Sequence, residues 1–179
     1  MMKIAAGIVL FNPDVERLEK CLRALLKQVD EIVIFDNVGN FQDFFTNSEY
    51  KITYLTEGRN MGISYALNKI MNLAKSKGFD WVLTMDQDTV IPAHMLEEFY
   101  QYPLTEYTAI ICPQVIDKRR VYMHASENPE RYVATDFCIT SASCTNLDIW
   151  KSIGGFDEKL FIDFVDNDYC KRLRLKGLE

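Results

Sequence analysis

Two aspartates, Asp86 and Asp88, stand one residue apart directly after the apolar stretch 81–85. If a strand continues through them, their side chains point to the same face, with Cα atoms roughly 6.5 Å apart. Such a pair at the end of a buried strand either raises one carboxyl pKa or binds a cation. With only oxygen ligands nearby, that cation should be Mg²⁺ or Mn²⁺. A solvated turn that holds two aspartates is the alternative, because the D-x-D spacing is common.

A second acidic group, DFVDND at 163–168, leads into the amphipathic stretch 169–175. A helix that begins near Asp163 would place Asp163 and Asp166 on one face, at positions i and i+3, with Asp168 pointing away. Acidic residues at a helix start are also stabilised by the helix dipole, so capping is the alternative. The apolar neighbours of Asp166 predict partial burial, which makes this carboxylate a candidate general base.

Other kinds of chemistry have weaker support in the sequence. Only two histidines are present, His94 and His124, and neither lies next to a nucleophile elbow. The first strand is not followed by G-x-G-x-x-G, and the chain holds no P-loop. The 86–90 segment does resemble the D-x-D-x-[TV] motif of haloacid-dehalogenase-like phosphatases, in which the first aspartate is a phosphoryl-accepting nucleophile. That family carries the motif on its first strand, whereas here it follows the fourth.

Alternating strands and helices position these residues in the first half of the chain, which predicts a parallel sheet with right-handed crossovers. The predicted strands are 3–11, 31–35, 51–55 and 80–85, and the predicted helices are 15–29, 63–74 and 92–100. In the second half, the stretches 108–116, 120–124 and 132–139 predict strands without long helices between them. We therefore expect a mixed sheet, predominantly parallel.

In open α/β sheets, ligands bind beyond the carboxyl ends of the strands. This rule selects Asn12, Asp36 with its neighbour Asn37, the 57–60 loop and the 86–88 motif as the polar residues that follow strands. Acidic and amide groups dominate the set.

Composition limits the function further. The chain has 179 residues, a net charge of −6 and 48% hydrophobic residues, which indicates one folded domain. An acidic chain is a poor match for a protein that binds nucleic acid by neutralising phosphates. The first apolar run, 4–11, is too short to cross a membrane. The five cysteines include no C-x-x-C pair, which is typical of reduced thiols in a cytoplasmic protein.

Taken in order, these motifs resemble the inverting family-two glycosyltransferases with the GT-A fold. The motifs are Phe11-Asn12-Pro13, Asp36-Asn37, Asn60-Met61-Gly62, Asp86-Gln87-Asp88, Ile153-Gly154-Gly155-Phe156-Asp157-Glu158 and Asp166-Asn167-Asp168-Tyr169-Cys170-Lys171-Arg172. The segments 81–88 and 160–166 look most like rhamnosyltransferases that use dTDP-L-rhamnose for bacterial surface polysaccharide. The resemblance implies an α/β protein with a Rossmann-like, mixed and mostly parallel sheet flanked by helices. It also implies that residues 1–179 are a single GT-A domain truncated at its C-terminus.

The resemblance implies a role for each polar residue at the donor side. Asp36 would accept a hydrogen bond from the imide N–H of a pyrimidine base, as in dTDP- or UDP-sugars. Asn12, Arg59 and Asn60 would also bind the donor nucleotide. Asp86 would approach the ribose and the metal, and Asp88 would ligate the Mg²⁺ or Mn²⁺ ion that bridges the diphosphate.

On the acceptor side, Asp166 matches the family's catalytic base, which deprotonates the attacking hydroxyl. Ser141, Ser143 and Asp163 would lie near a saccharide or lipid-linked acceptor. The chain has Val165 where many relatives have a glutamate before the base. The family usually continues further and supplies another metal ligand, often a histidine.

The predicted location is the cytoplasm, at the inner face of the membrane, with peripheral contact through residues beyond position 179. A phosphatase that uses Asp86 as its nucleophile and a non-catalytic nucleotide-binding fragment are the alternatives.

Overall fold

A computed structural model describes residues 2–46, 51–114 and 132–179, and its centre is a six-stranded sheet in the order β3-β2-β1-β4-β6-β5. The strands are β1 Ile4–Leu10, β2 Glu31–Asp36, β3 Ile52–Thr56, β4 Trp81–Asp86, β5 Ile110–Ile111 and β6 Ser143–Asn146. The helices are α1 Val15–Leu25, α2 Gln42–Thr46, α3 Ile63–Ser76, α4 Met95–Tyr100, α5 Leu147–Ser152 and α6 Val165–Leu175.

The first four strands are parallel, and β6 is antiparallel to both β4 and β5. Asp36 pairs with Leu10 on one side and with Thr56 on the other, and Asp86 pairs with Val9. The carboxyl ends of all four parallel strands therefore meet at one edge. The prediction of an α/β protein with a mixed, mostly parallel sheet is confirmed.

The central strands are buried on both faces, which explains their continuous apolar runs. α1 begins at a cap in which the Asp14 carboxylate accepts a hydrogen bond from the Arg17 amide at 3.0 Å, and its apolar face joins the core on one side of the sheet. α3 packs on the other side, close to Gly7. A Cβ atom at Gly7 would lie 2.6 Å from Cγ2 of Ile70, so this helix can approach β1 only over a glycine.

The second half of the chain differs from the prediction. The strand predicted at 108–116 is described as far as residue 114, and within 108–114 only Ile110 and Ile111 are extended in the sheet; 132–139 forms no strand. The stretch 132–139 is mostly exposed, so its apolar residues have no sheet face to pack against. The strand predicted at 120–124, with His124, lies outside the described residues. The strand next to β4 is β6, whose sequence SCTN carries little β-propensity.

The helix boundaries also differ from the prediction. α1 ends at Leu25, four residues early, and α4 begins at Met95 and not at Pro92. α2 and α5 were not predicted at all, because helices of 5 and 6 residues show little periodicity. In the described ranges no helix combines the length and apolar character that a membrane crossing requires.

Asn68 joins α3 to the loop that precedes α6. Its side-chain amide donates to the Phe156 carbonyl at 2.9 Å and to Glu158, and its side-chain oxygen accepts from the Phe156 amide at 2.9 Å. Because Asn68 is buried, its loss would leave both polar groups of the Phe156 backbone without a partner.

We therefore expect Asn68→Ala to lower the free energy of unfolding by about 1–3 kcal/mol, the cost of unsatisfied buried groups. Urea denaturation measures this change. Asn72→Ala is the matched control, because Asn72 is exposed and bonds only to the Asn68 carbonyl of its own helix. Equal losses in the two variants would contradict the role assigned to Asn68.

Candidate active site

The 86–88 motif forms a turn and does not continue the strand. β4 ends at Asp86, and Gln87 and Asp88 lie in the turn that follows. The structure therefore has the turn that the sequence left open as the alternative to a strand through both aspartates. Gln87 holds the turn against β1: its side-chain oxygen accepts from the Phe11 amide at 2.9 Å, and its side-chain amide donates to the Phe11 carbonyl at 3.2 Å. These two hydrogen bonds also restrain Asn12, the exposed residue that follows Phe11.

Three carboxylates interact electrostatically at this edge. The protein atoms packed around Asp86 raise its pKa, a hydrogen bond from Ser141 opposes this effect, and the negative charges of Asp88 and Asp166 raise the pKa further. Asp88 also forms an ion pair with Arg17 of α1, at 3.5 Å. Since Asp166 comes from the far end of the chain, the fold brings together the two acidic groups that the sequence singled out.

Ser141 lies next to Asp86. Its hydroxyl accepts from the Asp86 amide at 3.4 Å and donates to the Thr89 hydroxyl at 3.2 Å. Ser143 begins β6, is only 3% exposed and donates its hydroxyl to the Ile139 carbonyl. Ser143 and Asp166 line the same small cavity, and the acceptor-side role of both serines stays a prediction.

Asp36, the predicted base contact, is fully buried at the end of β2. One carboxylate oxygen accepts from the Val38 amide at 2.8 Å, and the other accepts from Asn40 and Phe41, both at 3.1 Å, and from the Tyr54 hydroxyl at 2.6 Å. Burial opposes ionisation, but these hydrogen bonds outweigh it and lower the pKa of Asp36. A contact with a nucleobase would require one of the bonds to open, so the role visible here is to position the 38–41 loop.

The 57–62 loop follows β3 and carries the predicted nucleotide contacts. Arg59 and Asn60 are exposed. The Asn60 side-chain oxygen accepts from the Gly62 amide at 2.9 Å, and that of Asn37 accepts from the Met61 amide at 2.9 Å. Asn37, next to the buried aspartate of β2, thereby fixes the path of this loop.

The same loop touches the segment before α6 at the start of α3. The Phe161 carbonyl accepts from the Ile63 amide at 2.7 Å, and the Ser64 hydroxyl donates to the Leu160 carbonyl. Gly62 has a φ of +86°, and a Cβ there would lie 2.5 Å from the Phe161 oxygen. Only glycine combines this backbone angle with this approach. The 57–62 loop and the segment before α6 therefore meet at one anchor, the start of α3.

Asp166 lies in the first turn of α6, half-buried, between the buried anchors Val165 and Tyr169. The helix begins at Val165, after Phe164 with a φ of +65°. Asp163 therefore lies outside the helix, exposed, and the prediction that it shares a helical face with Asp166 is wrong. The sequence pattern could not reveal the positive φ that ends the preceding loop.

A cationic side chain fixes the orientation of α6. Arg172 donates to Asp168 at 2.8 Å, and also to the carbonyls of Ile153 at 3.1 Å and Gly155 at 2.7 Å. The 153–158 motif thus binds α6 through its backbone carbonyls. Asp168 is bound to this arginine and is not part of the acidic group around Asp86.

Arg17 and Ser64 also contribute to the site, although no sequence pattern indicates them. Their partners, Asp88 and the Leu160 carbonyl, are 71 and 96 residues away respectively. Gln87 belongs to the 86–88 motif that follows β4, but its two hydrogen bonds to the Phe11 backbone were not predicted.

Comparison with known proteins gives a family and a fold. Residues 6–164 match the family described as Glycosyl transferase family 2. The chain is 27% identical over 192 residues to the dTDP-rhamnosyl transferase RfbF of Shigella flexneri, covering 98% of this chain and 64% of that protein. The chain thus spans less than two thirds of that relative's length.

Two similar solved structures are glycosyltransferases of the GT-A fold. One is the mannosyltransferase PcManGT from Pyrobaculum calidifontis in complex with GDP-Man and Mn²⁺, with a TM-score of 0.75, 16% identity, and coverage of 99% of this chain and 53% of that one. The other is S. aureus TarS 1-349 in complex with UDP, with a TM-score of 0.72, 17% identity, and coverage of 97% and 55%.

The buried Asp36 site generates a stability prediction. We expect Tyr54→Phe to lower the free energy of unfolding at pH 7 by roughly 1–3 kcal/mol, because it removes a donor to a buried charge. A carboxyl group whose pKa is lowered by folding stabilises the protein at pH values above the pKa that the group has in the unfolded chain. This stabilisation is lost as the pH falls through the lower pKa of the folded protein. The difference between wild type and variant should therefore narrow below about pH 4.

Urea denaturation from pH 7 down to pH 3 measures the effect. Tyr65→Phe is the control, since the Tyr65 hydroxyl bonds to the exposed carboxylate of Glu57 at 2.9 Å, and we expect a smaller loss from it. A Tyr54→Phe loss that does not change with pH would show that Asp36 is not the group involved.

Proposed function

The chain belongs to glycosyl transferase family 2, and from this premise we propose that it transfers L-rhamnose from dTDP-L-rhamnose to a saccharide or lipid-linked acceptor, with inversion at the anomeric carbon. The observation that supports it best is that Asp166, on α6, lies near enough to Asp86, at the end of β4, for its charge to raise the pKa of Asp86. Asp86 at the donor edge and Asp166 on α6 suit a displacement in which one carboxylate acts on the leaving-group side of the sugar and the other on the side of the attacking hydroxyl. The phosphatase alternative has no support, because the family match covers residues 6–164.

The carboxylates at the donor edge fit a divalent cation. Among the described residues no three His, Cys, Asp or Glu side chains are placed to bind one ion. Mg²⁺ and its relatives, however, often bind through one or two carboxylates together with substrate phosphates. Asp86 and Asp88 would hold Mg²⁺ or Mn²⁺ in this way, in exchange for the ion pair with Arg17. When bound, the cation would neutralise charge on the leaving nucleoside diphosphate.

The residues at the sheet edge would bind the donor. Asn12, Arg59 and Asn60 are exposed where three parallel strands end, within reach of a nucleotide laid across that edge. Arg59 carries a positive charge that suits a diphosphate. The buried Asp36 would act on the nucleotide through the loop that it orders, with direct contact to a pyrimidine base only if that loop opens.

Asp166 would act as the general base. It would accept the proton of the acceptor hydroxyl while that oxygen attacks the anomeric carbon from the face opposite the diphosphate. The bond between the sugar and the diphosphate oxygen breaks, its electron pair leaves with the nucleotide, and the configuration inverts in one displacement. The carboxylate returns to its charged form by releasing the proton to water.

The segment before the base would contact the acceptor. Phe161, Ile162 and Phe164 are 52%, 63% and 69% exposed, and the charged Asp163 stands among them. An exposed surface that mixes large apolar groups with one carboxylate suits an acceptor that has both lipid and sugar parts. It would also suit peripheral contact with a membrane.

Donor binding gives the first test of this function. We expect dTDP with Mn²⁺ to raise the thermal midpoint of unfolding more than UDP, GDP or ADP do. A ligand at about 100 times its Kd adds roughly 2.7 kcal/mol to the free energy of unfolding. Asp88→Ala should abolish the part of the shift that depends on Mn²⁺. Asp148→Ala is the control, because Asp148 lies in α5, far from the donor edge. α5 follows Asn146, and Asn146 pairs with Trp81 at the end of β4 opposite Asp86. A nucleotide shift that Asp88→Ala leaves intact would contradict the assignment of the donor edge.

The general base gives a second test. We expect Asp166→Asn to reduce kcat by about 10²–10⁴-fold, the usual contribution of a positioned base, with the Kd for dTDP unchanged. Release of dTDP from dTDP-L-rhamnose in the presence of a panel of saccharide and lipid-linked acceptors measures turnover. Asp136→Asn is the control, since Asp136 is exposed and pairs with Arg174 near the other end of α6. Full turnover in Asp166→Asn would exclude it as the base.

A further inference from the structure

Three of the five cysteines meet at one place, although they come from distant parts of the chain. The Sγ atoms of Cys138 and Cys170 lie 3.8 Å apart, and the Cys170 thiol is also 3.7 Å from the Cys138 carbonyl. Cys112 lies close enough to Cys138 for the two thiols to shift each other's pKa. The other two cysteines, Cys21 and Cys144, are buried.

This thiol cluster, defined as Cys112, Cys138 and Cys170, is suited to sulfur chemistry. Among the described residues no three His, Cys, Asp or Glu side chains are placed to hold one metal ion. The Sγ atoms of Cys138 and Cys170, 3.8 Å apart, must approach by roughly a further 1.8 Å to reach the length of a disulfide bond. Cys112 and Cys138 are half-buried, so a small oxidant can reach them.

The three thiols are not equivalent. Interaction with Cys138 lowers the pKa of the Cys112 thiol, although burial opposes the change. The same interaction raises the pKa of Cys138 to about 11, and interaction with Cys138 together with burial raises that of Cys170. The thiolate is the reactive form, so Cys112 should react first.

We propose that the thiol cluster is an oxidative modification site in which a peroxide converts Cys138 and Cys170 into a disulfide by way of Cys112. Hydrogen peroxide oxidises the Cys112 thiolate to a sulfenic acid and leaves as hydroxide. The Cys138 thiol attacks this sulfur, which forms a Cys112–Cys138 disulfide and releases water. Cys170 then attacks the Cys138 sulfur and returns Cys112 to the thiol. In sum, two thiols and one peroxide give one disulfide and two waters.

The product would constrain the helix that carries Asp166. Cys170 follows Asp166 by four residues, about one turn of α6, and Cys138, Cys170 and Asp166 line the same small cavity. Cys138 lies three residues before Ser141, which contacts Asp86. A covalent link between α6 and this segment would therefore fix the base relative to the donor edge. The expectation that oxidation lowers kcat without changing donor binding rests on the function proposed above.

Mass spectrometry tests the site without any assumption about activity. The reduced protein is treated with hydrogen peroxide, free thiols are blocked with N-ethylmaleimide, and the digest is searched for linked peptides. We expect a Cys138–Cys170 link that dithiothreitol reverses. Cys170→Ser should accumulate the Cys112–Cys138 link, and Cys112→Ser should slow the reaction by at least about tenfold. Cys144→Ser, a buried cysteine outside the cluster, is the control and should behave as wild type.

The wild-type protein alone decides the proposal, so a variant that fails to fold does not block the test. Thiols that all remain free, or that give only sulfinic acid or links between molecules, would overturn the modification site. The reduced protein is assayed for transfer first, so a failure of the proposed function is visible separately. An active protein that forms the disulfide and keeps its full kcat would overturn the coupling to Asp166.

Discussion

The buried carboxylate of Asp36 is the constraint on which the arrangement of the site depends. A charge without access to water must be saturated by hydrogen bonds, and the four donors that satisfy Asp36 come from the next loop and from Tyr54 of β3. The adjacent Asn37 extends the arrangement to the start of α3, and the first turn of α3 binds the segment before α6. A continuous series of hydrogen bonds thus runs from the end of β2 to the helix that carries Asp166.

This series explains how groups far apart in the chain can act at one place. Asp86 and Asp166 are separated by 80 residues, yet each influences the charge of the site through a rigid element. Groups that are fixed before a substrate arrives need no reorganisation during the reaction, which is the principal advantage of an enzyme over water. The convergence of three carboxylates is unfavourable in itself, and among the described residues an ion pair with Arg17 stabilises Asp88. The repulsion between Asp86 and its acidic neighbours supports the proposal that a cation binds at this edge.

The first half of the fold, in which strands and helices alternate, was predicted from the sequence. The second half, which lacks this regular alternation, was not. Continuous apolar runs and helical spacing identified β1 to β4, α1 and α3, and strand ends then located Asp36 and Asp86, because the carboxyl ends of parallel strands meet at one edge of the sheet. β6 was not predicted, because its sequence SCTN is extended through pairing with β4 and not through its own β-propensity. The positions of Arg17 and Ser64 in the site depend on contacts over 71 and 96 residues, which no local pattern encodes.

Backbone strain indicates where the rest of the molecule stabilises the site. Among the described residues, four that are not glycine have positive φ, and three of them, Asn12, Ala142 and Phe164, adjoin the site. Asparagine tolerates this conformation, but alanine and phenylalanine lose about 1–2 kcal/mol in it. Phe164 is 69% exposed, so its own packing does not compensate the strain. The compensation comes from the buried Val165 and from the Asp168 amide, which bonds to the Phe164 carbonyl at 2.9 Å. A strained residue held in this way directly before Asp166 is expected where geometry serves chemistry more than stability.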